Sequence, residues 1–121
     1  SNDTTDTEYL EWILAQGCYL GLDRYPGRYV SPAMRTATLK KLMDMGYGER
    51  LCPSHDCICL HIHNENPDGS IPEEHAFQRS NPDQFLYMHH HVIPELQRLG
   101  ATERDIDMLF IDNPRRLFEG T

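Results

Sequence analysis

Two short apolar runs, with a helix-like segment between them, most constrain what this chain can fold into. The first, CYLGL at residues 18–22, follows Gly17 and is ended by the polar, turn-forming stretch Asp23-Arg24-Tyr25-Pro26-Gly27. The second, at about residues 50–54, leads straight into His55-Asp56. Between them, Ser31-Pro32 is a helix start, with Ser as N-cap and Pro at the first helical position. Met34, Ala37, Leu39, Leu42, Met43 and Met45 are expected to form its buried face, and Gly46 and Gly48 its end. Ahead of the first run, Thr5 and Glu8 have capping-box spacing. Tyr9, Leu10, Ile13 and Leu14 then make an apolar stripe, Trp12 reads as a packing residue, and Gly17 stops the helix. The order helix, strand, helix, strand, helix is the βα pattern and implies a parallel sheet.

The strand count is the difficulty. A short apolar run such as 18–22 suits a strand buried on both faces, but two strands make a poor parallel sheet with both edges open. The expected fold class is therefore α/β, an incomplete part of a larger parallel barrel. A (β/α)8 barrel takes about 250 residues, and this chain has 121.

Past the second run, residues 57–84 read as a long irregular segment with turn signals in NPDG and SNPD. FLYMHHHVIPELQRLG reads as a helix in which Pro94 either makes a kink or marks the true start. Thr102 and Asp105 open a further helix through Ile106, Leu109 and Phe110, and Asn113-Pro114 caps a last turn that carries Leu117 and Phe118 onto the body.

Charge and cysteine usage exclude several classes. The net charge is -8, and the only basic doublets, Lys40-Lys41 and Arg115-Arg116, sit beside acidic residues, so nucleic-acid binding by a basic face is not expected. No apolar run approaches the roughly 18 residues of a membrane span, and SNDTTDT at the start does not look like a signal peptide. Four cysteines, at 18, 52, 57 and 59, are too sparse for a disulfide-stapled module and point to reduced thiols in the cytoplasm.

In parallel barrels, catalytic groups sit at the carboxyl ends of strands and just beyond. Asp23-Arg24 and His55-Asp56 occupy such points, and Asp3 would occupy a third if a strand preceded it. A carboxylate there can bind a metal ion and accept a proton from an attacking water. Spacing alone leaves the plainer alternative open, with Asp56 capping a turn and Asp3 capping a helix.

Five segments, SNDTTDT, GCYLGLDRY, GYGERLCPSHD, HVIPELQRLGATERDID and IDNPRRLFE, together resemble the C-terminal part of the phosphotriesterase family of the amidohydrolase superfamily. The resemblance spans nearly the whole chain except the loop from 57 to about 84. It implies a metal-dependent (β/α)8 barrel that hydrolyses phosphotriesters, lactones or related esters through a metal-activated hydroxide. Two metals, zinc by default, would be held by histidines and a lysine or glutamate on earlier strands and by an aspartate on the last. That aspartate corresponds to Asp56. Residues 1–121 would then be the C-terminal segment of one hydrolase domain, holding the last two strands and their helices. The resemblance also implies a proton relay through Asp56, Arg24 and Asp3. Arginine at the middle position is similar to the lactonase-type branch, and arginine does not shuttle protons at ordinary pH, so Arg24 would anchor the two carboxylates electrostatically. Asp23, Tyr25 and Cys57 would line the substrate pocket. The expected partners are a small ester or lactone and either a second copy, as a homodimer, or the rest of the barrel.

Other motifs weigh less. His61-Ile62-His63 has the HxH spelling but follows the last strand, whereas the family's HxH belongs on the first. Cys57, Cys59, His61 and His63 alternate with Ile58, Leu60 and Ile62, a span too straight to wrap one zinc ion, though a small zinc-binding module is an alternative. An inactive half-barrel is another. His89-His90-His91 on a helix point in different directions and read as a solvated face. Arg115-Arg116 reads as a partner for carboxylates. Adjacent Ser54, His55 and Asp56 cannot form a triad on a strand.

Overall fold

The computed structural model describes residues 3–27, 29–55, 57, 67–70 and 81–120. Helix α1 (Thr7–Ala15) leads to strand β1 (Leu20–Tyr25), helix α2 (Pro32–Leu42) and strand β2 (Leu51–His55). Helices α3 (Ile93–Arg98), α4 (Glu103–Asp107) and α5 (Asn113–Glu119) follow. β1 and β2 pair in parallel, with Leu20 opposite Leu51 and Leu22 opposite Pro53. The chain is thus α/β with parallel strands, as the element order implies. Among the described residues, no helix is long and apolar enough to cross a membrane.

The ends of α1 and α2 follow capping chemistry. Ser31 caps α2, its hydroxyl accepting from the Met34 amide, with Pro32 at the helix start. At α1 the cap is Asp6 rather than Thr5: its carboxylate accepts from the amides of Glu8 and Tyr9. A negative charge at a helix N-terminus gains from the helix dipole as well as from the hydrogen bonds. Thr102 and Asp105 form a reciprocal capping box at α4.

Pro94 and Pro114 both lie within helical chain. Ile93 and Asn113, each directly before a proline, donate five residues back to Met88 and to Met108. A proline lacks the amide of a regular turn, and its ring crowds the carbonyl four residues earlier. One widened turn relieves that crowding, so Pro94 and Pro114 neither start nor stop the helical run.

Leu10, Leu14, Leu22, Leu39, Leu51 and Leu96 belong to one buried cluster between the helices and one face of the strand pair. Burying each such side chain contributes about 1.5–3 kcal/mol. Asn113 locks α5 to the start of β2: its fully buried side-chain amide donates to the carbonyls of Gly48 and Leu51, both at 2.7 Å.

Three packing expectations are corrected. β1 is buried on one face only, since Leu20, Leu22 and Tyr25 are buried while Gly21, Asp23 and Arg24 are exposed. α2 turns inward through Arg35, Thr36, Thr38, Leu39 and Leu42. Met34 and Met45 are exposed and Met43 only borders the core. The two stripes interleave along the helix, and the ion pair of Arg35 described below belongs to the inward one. Trp12, at 63 % exposure, and Phe118, at 88 %, lie on outer faces rather than in the core.

Candidate active site

β1 does not end where its apolar run ends. It continues to Tyr25, and the polar residues expected to terminate it are part of the strand. The pairing makes this possible. From Leu22 to Tyr25, β1 advances three residues while β2 advances two, from Pro53 to His55, which is a bulge in the register. Strict alternation would turn Arg24 inward and Tyr25 outward. The extra residue reverses both, as bulges do when they re-aim a side chain beside a site. Asp23 and Arg24 therefore stand together on the open face, and Tyr25 enters the core at 2 % exposure.

Asp3, in the segment before α1, meets two guanidinium groups. Its Oδ2 accepts from Arg24 Nη1 at 2.8 Å, and its Oδ1 accepts from Arg35 Nη2 at 2.7 Å. Arg35 has a side-chain exposure of 0 %, against 55 % for Arg24 and 24 % for Asp3. Arg35 Nε also donates to the Val30 carbonyl at 2.9 Å. The hydrogen bond from Arg35, opposed by partial burial and reinforced by both positive charges, holds the Asp3 carboxyl below its ordinary value of 3.8. Asp3 is an anion at neutral pH.

The loop between β1 and α2 gives Arg35 its room. Gly27 has φ +80°, a conformation that side chains rarely adopt, and a Cβ there would lie 2.1 Å from Arg35 Nη2. Thr36, next on the helix, places its hydroxyl 3.4 Å from the Tyr25 hydroxyl and donates to the Pro32 carbonyl. Burial pushes the Tyr25 phenol up to about 12.

Because the strands are parallel, His55 at the end of β2 lies opposite Tyr25 at the same carboxyl edge as Arg24. His55 packs against the edge of the Phe85 ring, with centroids 5.2 Å apart, and its buried Nδ1 has no hydrogen-bond partner among the described residues. Asp56, expected as metal ligand, lies outside the described residues, as do Cys59, His61 and His63. Cys57 is half-buried just beyond.

Of the expected site residues, the structure joins Asp3 to Arg24 and leaves Asp23 beside them on the open face. Tyr25 turns away from that face. Arg35 escaped the sequence reading. Its signal was a charged residue on the same helical stripe as Leu39 and Leu42, where a charge persists only with a partner. The secondary motifs are as expected: His89, His90 and His91 are exposed, and His90 and His91 contact Asp83. Arg115 faces Asp112 and Arg116 faces Glu49.

Among the described residues, no three histidine, cysteine or carboxylate side chains come close enough to hold an ion. The described donors alone do not assemble a metal centre.

The chain has relatives among known proteins. The phosphotriesterase family model matches residues 1–118. A "Phosphotriesterase homology protein" of Mycobacterium tuberculosis is 33 % identical over 118 residues, covering 97 % of this chain and 34 % of its own length. An "Aryldialkylphosphatase" of Saccharolobus solfataricus is 28 % identical over 117 residues, covering 96 % and 36 %. A crystal structure of a mutant PTE-like lactonase from Deinococcus radiodurans superposes with TM-score 0.81 at 28 % identity, over 95 % of this chain and 36 % of that one. The chain spans about a third of the length of the relatives it matches.

Proposed function

The chain belongs to the phosphotriesterase family, and on that premise we propose that residues 1–121 are the C-terminal segment of a metal-dependent hydrolase barrel acting on a lactone, ester or phosphoester. The observation that carries this reading is the parallel strand pair with Arg24 ion-paired to Asp3 at the carboxyl edge where β2 leads into Asp56. Several features of the packing support it. One face of β1 is open and polar, both sheet edges lack a further strand among the described residues, and Trp12, Met34 and Phe118 lie exposed. These are surfaces that further barrel strands and helices would cover, or that a homodimer would use.

Asp56 is the proposed metal ligand, with the remaining ligands supplied by other parts of the fold. Two divalent ions, zinc by default, would supply an acidified water as nucleophile and polarise the acceptor oxygen of the substrate. The Asp56 carboxylate accepts the proton that the attacking water gives up. Arg24 sets a fixed positive charge beside Asp3 at this edge. Asp3, an anion between two guanidinium groups, orients Arg24. Asp23 and Cys57 line the substrate side, and Tyr25 supports them from the core. The arginine in GLDRY, similar to the lactonase-type branch, favours a lactone or ester over a phosphotriester. Free thiols at Cys18, Cys52 and Cys57 suit a reducing cytoplasm.

Metal analysis and a hydrolysis assay with a lactone and an aryl dialkyl phosphate, on the chain joined to the parts of the fold that supply the remaining ligands, test the proposal. Metal-dependent turnover, abolished by Asp56→Asn, is expected. A metal-free, inactive oligomer would sink it in favour of a non-catalytic half-barrel. One zinc per chain kept in Asp56→Asn but lost in Cys59→Ala would sink it in favour of a small zinc-binding module.

A further inference from the structure

Arg35 is the only buried charged side chain among the described residues. Removing a guanidinium from water costs several kcal/mol unless charge and hydrogen bonds compensate. What compensates here is specific. Nη2 donates to Asp3 Oδ1 and Nε donates to the Val30 carbonyl. We infer, building on the hydrolase reading above, that Arg35 is a positioning residue of the site: it holds Asp3, and through Asp3 it holds Arg24 at the carboxyl edge of β1.

The three side chains differ in freedom. Asp3 lies in an irregular segment, 32 residues away from Arg35 in sequence, and that segment does not fix its position by regular secondary structure. Arg24 is more than half exposed, so holding its long side chain in one rotamer costs entropy that the ion pair with Asp3 helps to offset. Arg35 is fully buried on α2, its plane set by Val30 and its room kept by Gly27. The only rigid member of the three is thus the one farthest from the open face. Asp3 gives one oxygen to each guanidinium, so its carboxylate links Arg35 to Arg24. Lysine would keep the charge but not the planar fork that serves a carbonyl and a carboxylate at once.

The test titrates the Asp3 carboxyl by NMR in Arg35→Met, Arg35→Lys and Arg24→Gln, and measures turnover in the same proteins. The titration needs no activity, so it reads this inference even if the hydrolase reading fails. Asp3 should stay depressed in Arg24→Gln, rise partway in Arg35→Lys and reach the ordinary carboxylate range in Arg35→Met. Turnover in Arg35→Met should fall by about 10- to 100-fold in kcat, the scale of a small misplacement. KM should move by no more than about twofold, and Arg35→Lys should recover part of the loss. An Asp3 titration unchanged in Arg35→Met, or wild-type kcat in that folded variant, overturns the inference. If Arg35→Met does not fold, Arg24→Gln decides: a still-depressed Asp3 supports the inference, and an ordinary one overturns it.

Discussion

Replacing Gly27 by alanine deletes no charge and no hydrogen bond, yet it should break the ion pair beneath the site. Two costs add. Gly27 sits at φ +80°, and a left-handed residue with a Cβ costs about 1–2 kcal/mol. The new Cβ would also lie 2.1, 2.2 and 2.3 Å from Arg35 Nη2, Cζ and Nε, so the guanidinium must leave its place. Separating a buried arginine from its carboxylate costs about 3 kcal/mol, the low end for buried pairs, because Asp3 keeps some access to water. The expected total is about 4–5 kcal/mol. Gly17 supplies the control, with φ +82° and nothing within 4 Å of the place a Cβ would take. Gly17→Ala should therefore lose only the conformational part, about 1–2 kcal/mol. Urea unfolding of both variants at neutral pH reads the difference. The pH dependence has a definite sign. A depressed carboxyl contributes stability that is fully present above its ordinary value of 3.8 and is lost as pH falls through the lower folded value. The gap between the two variants should hold down to about pH 4 and narrow below it. Equal losses for Gly27→Ala and Gly17→Ala at neutral pH would refute the reasoning.

Asn113→Ala removes the donor shared by the Gly48 and Leu51 carbonyls and should cost about 2–3 kcal/mol, read by the same urea assay. A loss below about 0.5 kcal/mol would mean the side chain is not what ties α5 to β2. Tyr25 should ionise near pH 12 in an ultraviolet titration of the folded protein. Its burial as the neutral phenol contributes stability that is complete below the ordinary value of 10.0 and is lost as pH rises through about 12. Tyr25→Phe should remove that late step and leave the earlier ones in place.

Signals that act within a few residues were legible in the sequence. Ser31-Pro32 starts α2, Thr102 and Asp105 start α4, and Gly17 follows α1 with its φ of +82°. The parallel order followed from the alternation of elements, and Asp3 and Arg24 were singled out before their contact was known. What the sequence hid depends on partners distant in the chain. The bulge that sends Arg24 outward and Tyr25 inward exists only in the register between β1 and β2. The inward stripe of α2 includes Arg35, and only the position of Asp3 explains why a charge is tolerated there. The widened turns before Pro94 and Pro114 let a helical run pass residues that read as boundaries. Trp12 and Phe118 were assigned to packing on hydrophobicity alone, which does not say whether a covering surface lies within the same chain.

The proposed function rests on Asp56 as a metal ligand at the strand edge where Arg24 meets Asp3. Anomalous X-ray scattering from the zinc-loaded protein tests it most directly. The expected zinc peak lies about 2.0–2.2 Å from an Asp56 carboxylate oxygen, on the same side of the sheet as Arg24. A peak bound by Cys57, Cys59, His61 and His63, with Asp56 turned away, would contradict it.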